Sequence, residues 1–128
     1  MWRRKRYSVL VVDDEPDIRS VVRTLLQAGP FDPIWEAVDG ETAIRIAFEN
    51  HPDLIVLDYH LPGMDGEAVA SGLKLISSGT LVLVLTGVLK EPPSWGDGFL
   101  DKFDIARLPR VLELMIKGRP TRRRRWND

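Results

Sequence analysis

Cysteine is absent from this 128-residue chain, and so are long apolar segments. Without a thiol, the chain has no disulfide framework, no thiolate metal site and no cysteine nucleophile. The longest apolar run, residues 81–85, is five residues long, whereas a membrane-spanning helix needs about twenty. The basic residues at the start are soon followed by the acidic residues 13–15, so no signal peptide is visible. We therefore expect a cytoplasmic protein with no membrane partner.

A large net charge is also lacking, since the formal value at pH 7 is −1. This balance hides an asymmetry, because residues 7–116 contain 18 acidic and 8 basic residues while the two ends together contain 10 basic residues and 1 acidic residue. An acidic body repels phosphates, which argues against a nucleic-acid partner. We predict a basic extension over residues 1–6, one folded domain over residues 7–117 and a disordered basic tail over residues 118–128. Binding of an anionic partner by that tail is the alternative.

Short apolar runs alternate with helical patterns along the body of the chain. The continuous runs at residues 9–12, 54–57 and 81–85 are typical of strands that are buried on both faces. Between the first two runs, apolar residues recur every three or four positions from Ile18 to Leu26, which indicates a helix that begins near Pro16. This alternation predicts an α/β domain, with βαβ units around a parallel sheet.

The order of the elements follows from these patterns and from the breaks between them. Strands are predicted near residues 8–12, 34–37, 54–58, 81–86 and 98–102. Helices are predicted from Pro16 to the stop at Gly29, from Gly40 to the break at His51, over residues 66–77 and over residues 105–116. Residues 87–97 contain the adjacent prolines Pro92 and Pro93, which exclude most of a helix, so we predict a loop between the fourth and fifth strands.

Polar residues stand where the predicted strands end, and ligands bind at that edge of an open parallel sheet. They are Asp13, Asp14, Asp58, Thr86 and Lys102. Three clustered carboxylates repel one another unless a cation joins them, and hard oxygen ligands of this kind suit Mg²⁺. With an ammonium group and a hydroxyl nearby, the set predicts a phosphoryl-transfer site. Each residue alone has an ordinary structural explanation as a turn, cap or solvated group, and the specificity lies in the combination.

Four segments of the sequence resemble one known family, the response regulator receiver domains of two-component signalling, including the chemotaxis regulators. They are residues 11–16 (VVDDEP), 56–66 (VLDYHLPGMDG), 85–87 (LTG) and 99–102 (FLDK). The resemblance covers roughly residues 7–116. It implies a flavodoxin-like, doubly wound, five-stranded parallel sheet with the strand order 2-1-3-4-5. It also implies a signalling protein that is not an enzyme.

The resemblance assigns roles to the acidic residues. Asp58 would be the phosphoacceptor, and the phosphoryl donor would be a phosphohistidine on a sensor histidine kinase or on a histidine phosphotransfer protein. Asp14, Asp58 and the main-chain carbonyl of His60 would bind Mg²⁺, with Asp13 acting largely through water. The downstream partner would be a protein, whose identity the sequence does not indicate.

Three further residues match positions of the family that act on the phosphoryl group or respond to it. Lys102 would contact the phosphoryl oxygens, Thr86 would be the switch hydroxyl and Phe99 the switch aromatic. From its residue type alone, Phe99 has the simpler interpretation of a core residue. The side chain of His60 could be a nucleophile or a transition-metal ligand. We favour a bystander that shields the phosphoryl group from water.

The chain departs from the family pattern at two places. Receivers usually have a helix of several turns where residues 87–97 form the predicted loop, and Trp95 is large enough to cover part of the surface which that helix would hide. A proline usually follows the conserved lysine in a cis peptide bond, but Phe103 follows Lys102 here. Because a cis bond before a non-proline residue costs about 2.5–4 kcal/mol, we expect a trans bond.

Two other functions fit parts of the pattern. A small Mg²⁺-dependent aspartyl phosphatase or phosphotransferase would use similar acids. Such enzymes usually have an Asp-x-Asp motif after the first strand and a cap for the substrate, whereas this chain has Asp13-Asp14-Glu15 and little length for a cap. A mononucleotide-binding flavodoxin-like protein would need a glycine-rich phosphate loop after the first strand, which the sequence does not contain.

Overall fold

The computed structural model describes residues 5–63, 65–88 and 91–118, and in these ranges strands and helices alternate. The strands are β1 (Tyr7–Val12), β2 (Phe31–Ala37), β3 (Leu54–Asp58), β4 (Leu81–Thr86) and β5 (Gly98–Asp101). The α-helices are α1 (Pro16–Gln27), α2 (Gly40–Asn50), α3 (Gly66–Ile76) and α4 (Leu108–Gly118), and a 3₁₀ segment covers Lys102–Arg107. All strand pairs are parallel, and the order is β2-β1-β3-β4-β5. This confirms the predicted doubly wound sheet.

The sheet lies between two helical layers because its central strands are apolar on both faces. Every residue of β3 and β4 is buried. Alternate residues of the strands, such as Val9 and Leu83, pack with Val22 of α1 and Leu112 of α4. Their neighbours in the strands pack with α2 and α3 on the opposite face, as Leu10 does. The central strands therefore form a rigid base, and their carboxyl ends meet at one edge.

The edge strand β2 begins earlier than predicted, at Phe31 rather than near Ile34. Its register with β1 shifts between the pairs Tyr7–Phe31 and Val9–Ile34. Pro33 lies in the shifted stretch, where a missing N–H group is tolerated on an edge strand. The proline therefore coincides with an irregularity inside the strand.

The last helix begins later than predicted, at Leu108 instead of Ile105. An α-helix starting at Ile105 would place Pro109 beyond the first turn, where its ring would clash with the carbonyl four residues earlier. The chain instead forms a 3₁₀ segment up to Arg107, and Pro109 lies in the first turn of α4. Asp101 caps the 3₁₀ segment, since its Oδ1 accepts a hydrogen bond from the N–H of Phe103 at 2.9 Å.

The connection between β4 and β5 is a loop, as predicted from its prolines; its residues Leu89 and Lys90 lie outside the described ranges. The loop is attached to the sheet near its end. Asp97 Oδ2 accepts hydrogen bonds from Lys74 Nζ at 2.5 Å and from the N–H of Val82 at 2.9 Å. The N–H of Asp97 donates to the carbonyl of Val82 at 2.8 Å. The carboxylate of Asp97 thus connects α3, β4 and the start of β5.

Of the predicted disordered tail, only Gly118 lies within the described residues, as the last residue of α4. The predicted boundaries of the folded domain and of the two basic ends stay predictions.

Candidate functional site

Three aspartates meet at the carboxyl end of the sheet. Asp13 follows β1 directly and Asp58 ends β3, the strand that pairs with β1. One carboxylate oxygen from each of Asp13, Asp14 and Asp58 lies within 4.8 Å of the other two. Asp13 and Asp58 are 1% and 3% exposed, and Asp14 is exposed to solvent. The structure thus brings together the three acids that the strand-end argument selects.

Lys102 extends its ammonium group into this cluster. It follows β5, and its Nζ lies 3.4 Å from Asp58 Oδ1 and 3.6 Å from Asp13 Oδ2. A third carboxylate also approaches, since Glu15 Oε1 is 3.7 Å away. The peptide bond between Lys102 and Phe103 is trans, because the cis bond recorded among the described residues is that of Asp32–Pro33. The expectation of a trans bond is therefore confirmed.

The cluster shifts the protonation equilibria of its members. Burial raises the pKa of Asp13 to about 6, and the charge of Asp58 adds to this effect. Burial also raises the pKa of Asp58, partly offset by the hydrogen bond from the N–H of His60 and by the charge of Lys102. Burial lowers the pKa of Lys102, but the surrounding carboxylates outweigh it and raise the pKa above its usual value. The single positive charge of Lys102 does not balance the negative charges of three neighbouring carboxylates.

The residues present fit a hard divalent cation. Asp13 Oδ2 is buried and accepts no hydrogen bond from the part of the chain that the structure describes. The ammonium group of Lys102, 3.6 Å away, is beyond hydrogen-bond distance. A buried oxygen that accepts no hydrogen bond is costly, and a cation placed among the three carboxylates would satisfy it. A set made of carboxylate oxygens suits Mg²⁺ or Ca²⁺ better than softer metals.

His60 takes part through its main chain. Its N–H donates to Asp58 Oδ1 at 3.2 Å and so orients the carboxylate. Its imidazole is exposed and packs edge-on to the ring of Tyr59, with the ring centroids 5.0 Å apart. The candidate metal cluster among the described residues is made of aspartates alone, and this favours the bystander interpretation of the His60 side chain.

The two predicted switch residues lie on neighbouring strands. Thr86 ends β4 and is fully buried, and its Oγ1 accepts a hydrogen bond from the N–H of Val88 at 3.2 Å. Phe99 lies on β5 opposite Val84 and is partly buried. The hydroxyl at the end of β4 is thus joined directly to the start of the β4–β5 loop.

Trp95 covers part of the sheet face that carries α2 and α3, as its size suggested. Its side chain packs against the core on that side and stacks on the ring of Tyr59, with the centroids 6.2 Å apart and the planes inclined by 11°. A Cβ added at Gly66 would lie 3.5 Å from the indole. Because Tyr59 follows Asp58 in sequence, Trp95 links the loop to the residue beside the candidate acceptor.

Sequence reasoning missed two residues that contact the site. Glu15 belongs to the acidic run after β1, and its distance from Lys102 depends on where β5 ends. Arg19 donates from Nη1 to the main-chain carbonyl of Asp13 at 2.7 Å. The arginine stands one helical turn after Glu15, a spacing that predicts contact between those two side chains. Its bond to Asp13 depends on how α1 packs beside β1, and the sequence gives no signal for it.

None of the described helices is long and apolar enough to cross a membrane.

The family model for the response regulator receiver domain matches residues 9–93.

Relatives and solved structures agree with that match. The transcription regulator BvgA of Bordetella pertussis is 41% identical over 86 residues, which are 67% of this chain and 40% of BvgA. The transcriptional regulatory protein PrrA of Mycobacterium tuberculosis is 41% identical over 78 residues, which are 61% of this chain and 33% of PrrA. The matches thus span well under half the length of these relatives.

Two solved structures have the same architecture. The signal receiver domain of NarL from Mycobacterium tuberculosis is 31% identical, with a TM-score of 0.73 over 91% of this chain and 100% of that domain. The chemotaxis response regulator CheY4 of Vibrio cholerae is 26% identical, with a TM-score of 0.78 over 87% of this chain and 99% of CheY4.

Proposed function

The chain belongs to the response regulator receiver domain family, and from this premise we propose that Asp58 accepts a phosphoryl group from a phosphohistidine. The donor would be a sensor histidine kinase or a histidine phosphotransfer protein. The observation that carries the proposal is the buried carboxylate of Asp58, held between the ammonium group of Lys102 and two further carboxylates at the open edge of the sheet.

The transfer is a displacement at phosphorus. A carboxylate oxygen of Asp58 forms the new O–P bond while the N–P bond of the phosphohistidine breaks, and the imidazole leaves with the electron pair. The N–H of His60 and the ammonium of Lys102 orient the carboxylate beforehand. As negative charge moves onto the site, Lys102 is positioned to neutralise the phosphoryl oxygens.

Asp14, Asp58 and the main-chain carbonyl of His60 would hold Mg²⁺, with Asp13 acting largely through water, as the family implies. The ion would neutralise the carboxylates and the phosphoryl oxygens. The Oδ2 of Asp13, which accepts no hydrogen bond from the described residues, supports this assignment.

We infer that the signal passes to another protein, since the acidic body of residues 7–116 repels nucleic acid. Thr86 and Phe99 would respond to phosphorylation, and the β4–β5 loop would move with them. The cytoplasmic location and the absence of an enzymatic activity stay predictions.

Incubation with a small phosphodonor and Mg²⁺, followed by intact mass spectrometry, tests the function. The addition of one phosphoryl group, removed by hydroxylamine as expected of an acyl phosphate, would support the receiver. Steady hydrolysis of a phosphoester without an accumulated adduct would instead support the aspartyl phosphatase.

Asp14→Ala should weaken Mg²⁺ binding at least about tenfold, because Mg²⁺ here has few protein ligands. Calorimetric or NMR titration measures the affinity. Asp17→Ala is the matched control, since it removes the same charge from an exposed position in the first turn of α1. If both variants bind Mg²⁺ as the unaltered protein does, the assignment of Asp14 as a ligand is wrong.

Amide exchange should separate the two ends of the β4–β5 loop. The N–H of Val88 donates to a side-chain oxygen and the residue is 62% exposed, so we expect fast exchange that slows when phosphorylation engages Thr86. The N–H of Asp97 donates to the sheet and should exchange slowly in both states. Exchange at Val88 as slow as in β4 would contradict a switch that reorders this loop.

A further inference from the structure

One arginine connects the acidic cluster to the edge of the sheet. Arg19 lies on α1, and its side chain is only 14% exposed. Its Nη1 donates to the main-chain carbonyl of Asp13 at 2.7 Å, and its Nε donates to Glu36 Oε1 at 3.1 Å. Since a guanidinium group is planar and rigid, these two bonds fix its orientation relative to both β1 and β2.

The accepting carbonyl belongs to the peptide group that joins Asp13 to Asp14. The preceding peptide group is also held, since the N–H of Asp13 donates to the carbonyl of Ala37 at 3.1 Å. The Oδ1 of Asp13 accepts from the N–H of Glu15 at 2.9 Å. The hydrogen bond from Arg19 fixes the plane of the Asp13–Asp14 peptide group. The orientation of that plane sets the direction of the Asp14 side chain.

A second arginine holds the same glutamate without contacting the acidic cluster. Arg23 donates to Glu36 Oε2 at 2.6 Å and to the carbonyl of Ile34 at 3.0 Å. Both arginines hold the pKa of Glu36 below its usual value, Arg23 more strongly. Because Arg23 alone already joins α1 to β2, the contact of Arg19 with Asp13 is not needed to dock the helix.

We propose that Arg19 is a positioning residue of the cation site. It acts through the Asp13–Asp14 peptide and sets the separation and direction of the two carboxylates before the ion binds. This inference rests on the proposed function, because it assumes that Mg²⁺ binds at these aspartates. Groups behind the direct ligands of a metal commonly control its affinity about 10- to 100-fold.

Arg19→Lys and Arg23→Lys form a matched pair, since each retains its positive charge and loses the geometry of a guanidinium contact with Glu36. We expect Arg19→Lys to weaken Mg²⁺ binding about tenfold in a calorimetric titration. We expect Arg23→Lys to stay within about twofold of the unaltered protein. A purely structural role would lower thermal stability in both variants without separating their Mg²⁺ affinities.

The rate of phosphoryl uptake gives a second readout. In Arg19→Lys, the Mg²⁺ concentration for half-maximal uptake should rise about tenfold, while the rate at saturating Mg²⁺ stays close to that of the unaltered protein. Should Arg19→Lys fail to fold, Glu36→Gln decides the question, because it loosens the guanidinium and leaves Arg19 in place. A weaker Mg²⁺ affinity in that variant supports the inference, and an unchanged affinity overturns it.

These experiments test the role of Arg19 separately from the proposed function. If the unaltered protein binds Mg²⁺ and both lysine variants bind it equally well, Arg19 has no positioning role and the proposed function stands. If the unaltered protein binds no Mg²⁺, the cation site and the role of Arg19 are both wrong.

Discussion

Asp58→Asn is expected to abolish phosphoryl uptake from a small phosphodonor, because the amide lacks the nucleophilic carboxylate oxygen. The same substitution should raise the free energy of unfolding in the absence of divalent cations, since burial disfavours the charged form of Asp58. Intact mass spectrometry measures the first effect and urea denaturation the second.

Added Mg²⁺ should reverse this difference, so that the unaltered protein becomes more stable than Asp58→Asn. The unaltered protein gains stability from binding the ion in its folded state, whereas Asp58→Asn has lost one of the ligands. Asp65→Asn is the control, since Asp65 is an exposed cap of α3 and asparagine caps helices equally well. Phosphoryl uptake by Asp58→Asn at the normal rate would show that the acceptor lies elsewhere.

Asp97→Ala is expected to lower the free energy of unfolding by about 3 kcal/mol. Its carboxylate is 4% exposed and joins Lys74 to the N–H of Val82. Removing it leaves a main-chain donor unsatisfied and a half-buried ammonium group without its partner. Urea denaturation monitored by circular dichroism measures the loss.

Asp97→Asn separates the two contributions of that side chain. The amide oxygen can still accept the hydrogen bond from Val82, while the ion pair with Lys74 is lost. We expect a destabilisation of about half that of the alanine variant. A loss below about 0.5 kcal/mol in Asp97→Ala, the range of ordinary surface substitutions, would mean that the loop is not held to the sheet by this residue.

The positions of the strands along the chain and the place of the candidate site could be predicted because both depend on local patterns, whereas the strand order 2-1-3-4-5 was implied by the family resemblance. A continuous apolar run such as residues 54–57 indicates a buried strand, and the acid that follows it must then lie at the carboxyl edge of the sheet. The β4–β5 loop could also be predicted from the local sequence, since Pro92 and Pro93 exclude a helix whatever surrounds them.

The contacts that tune the site could not be predicted in the same way. The bond from Arg19 to the carbonyl of Asp13, the stacking of Trp95 on Tyr59 and the ion pair of Lys74 with Asp97 depend on the relative placement of separate elements. The start of the last helix was misjudged for a smaller reason, because the apolar periodicity continues through residues that adopt a 3₁₀ conformation before Pro109.

The cap that Asp101 forms on the 3₁₀ segment affects how the position of the Lys102 ammonium group can change during evolution. Where most of the family has an imino acid, Phe103 supplies an N–H to Asp101, and its ring is 90% exposed. The backbone beside Lys102 is therefore fixed by a hydrogen bond that contributes about 1 kcal/mol, and not by the ring of a proline. Substitutions at position 101 would therefore shift the ammonium group of Lys102 by small amounts, and we expect them to change the rate of phosphoryl uptake without altering the sheet or the proposed acceptor. A proline introduced at position 103 would remove that means of adjustment, since it has no hydrogen to donate.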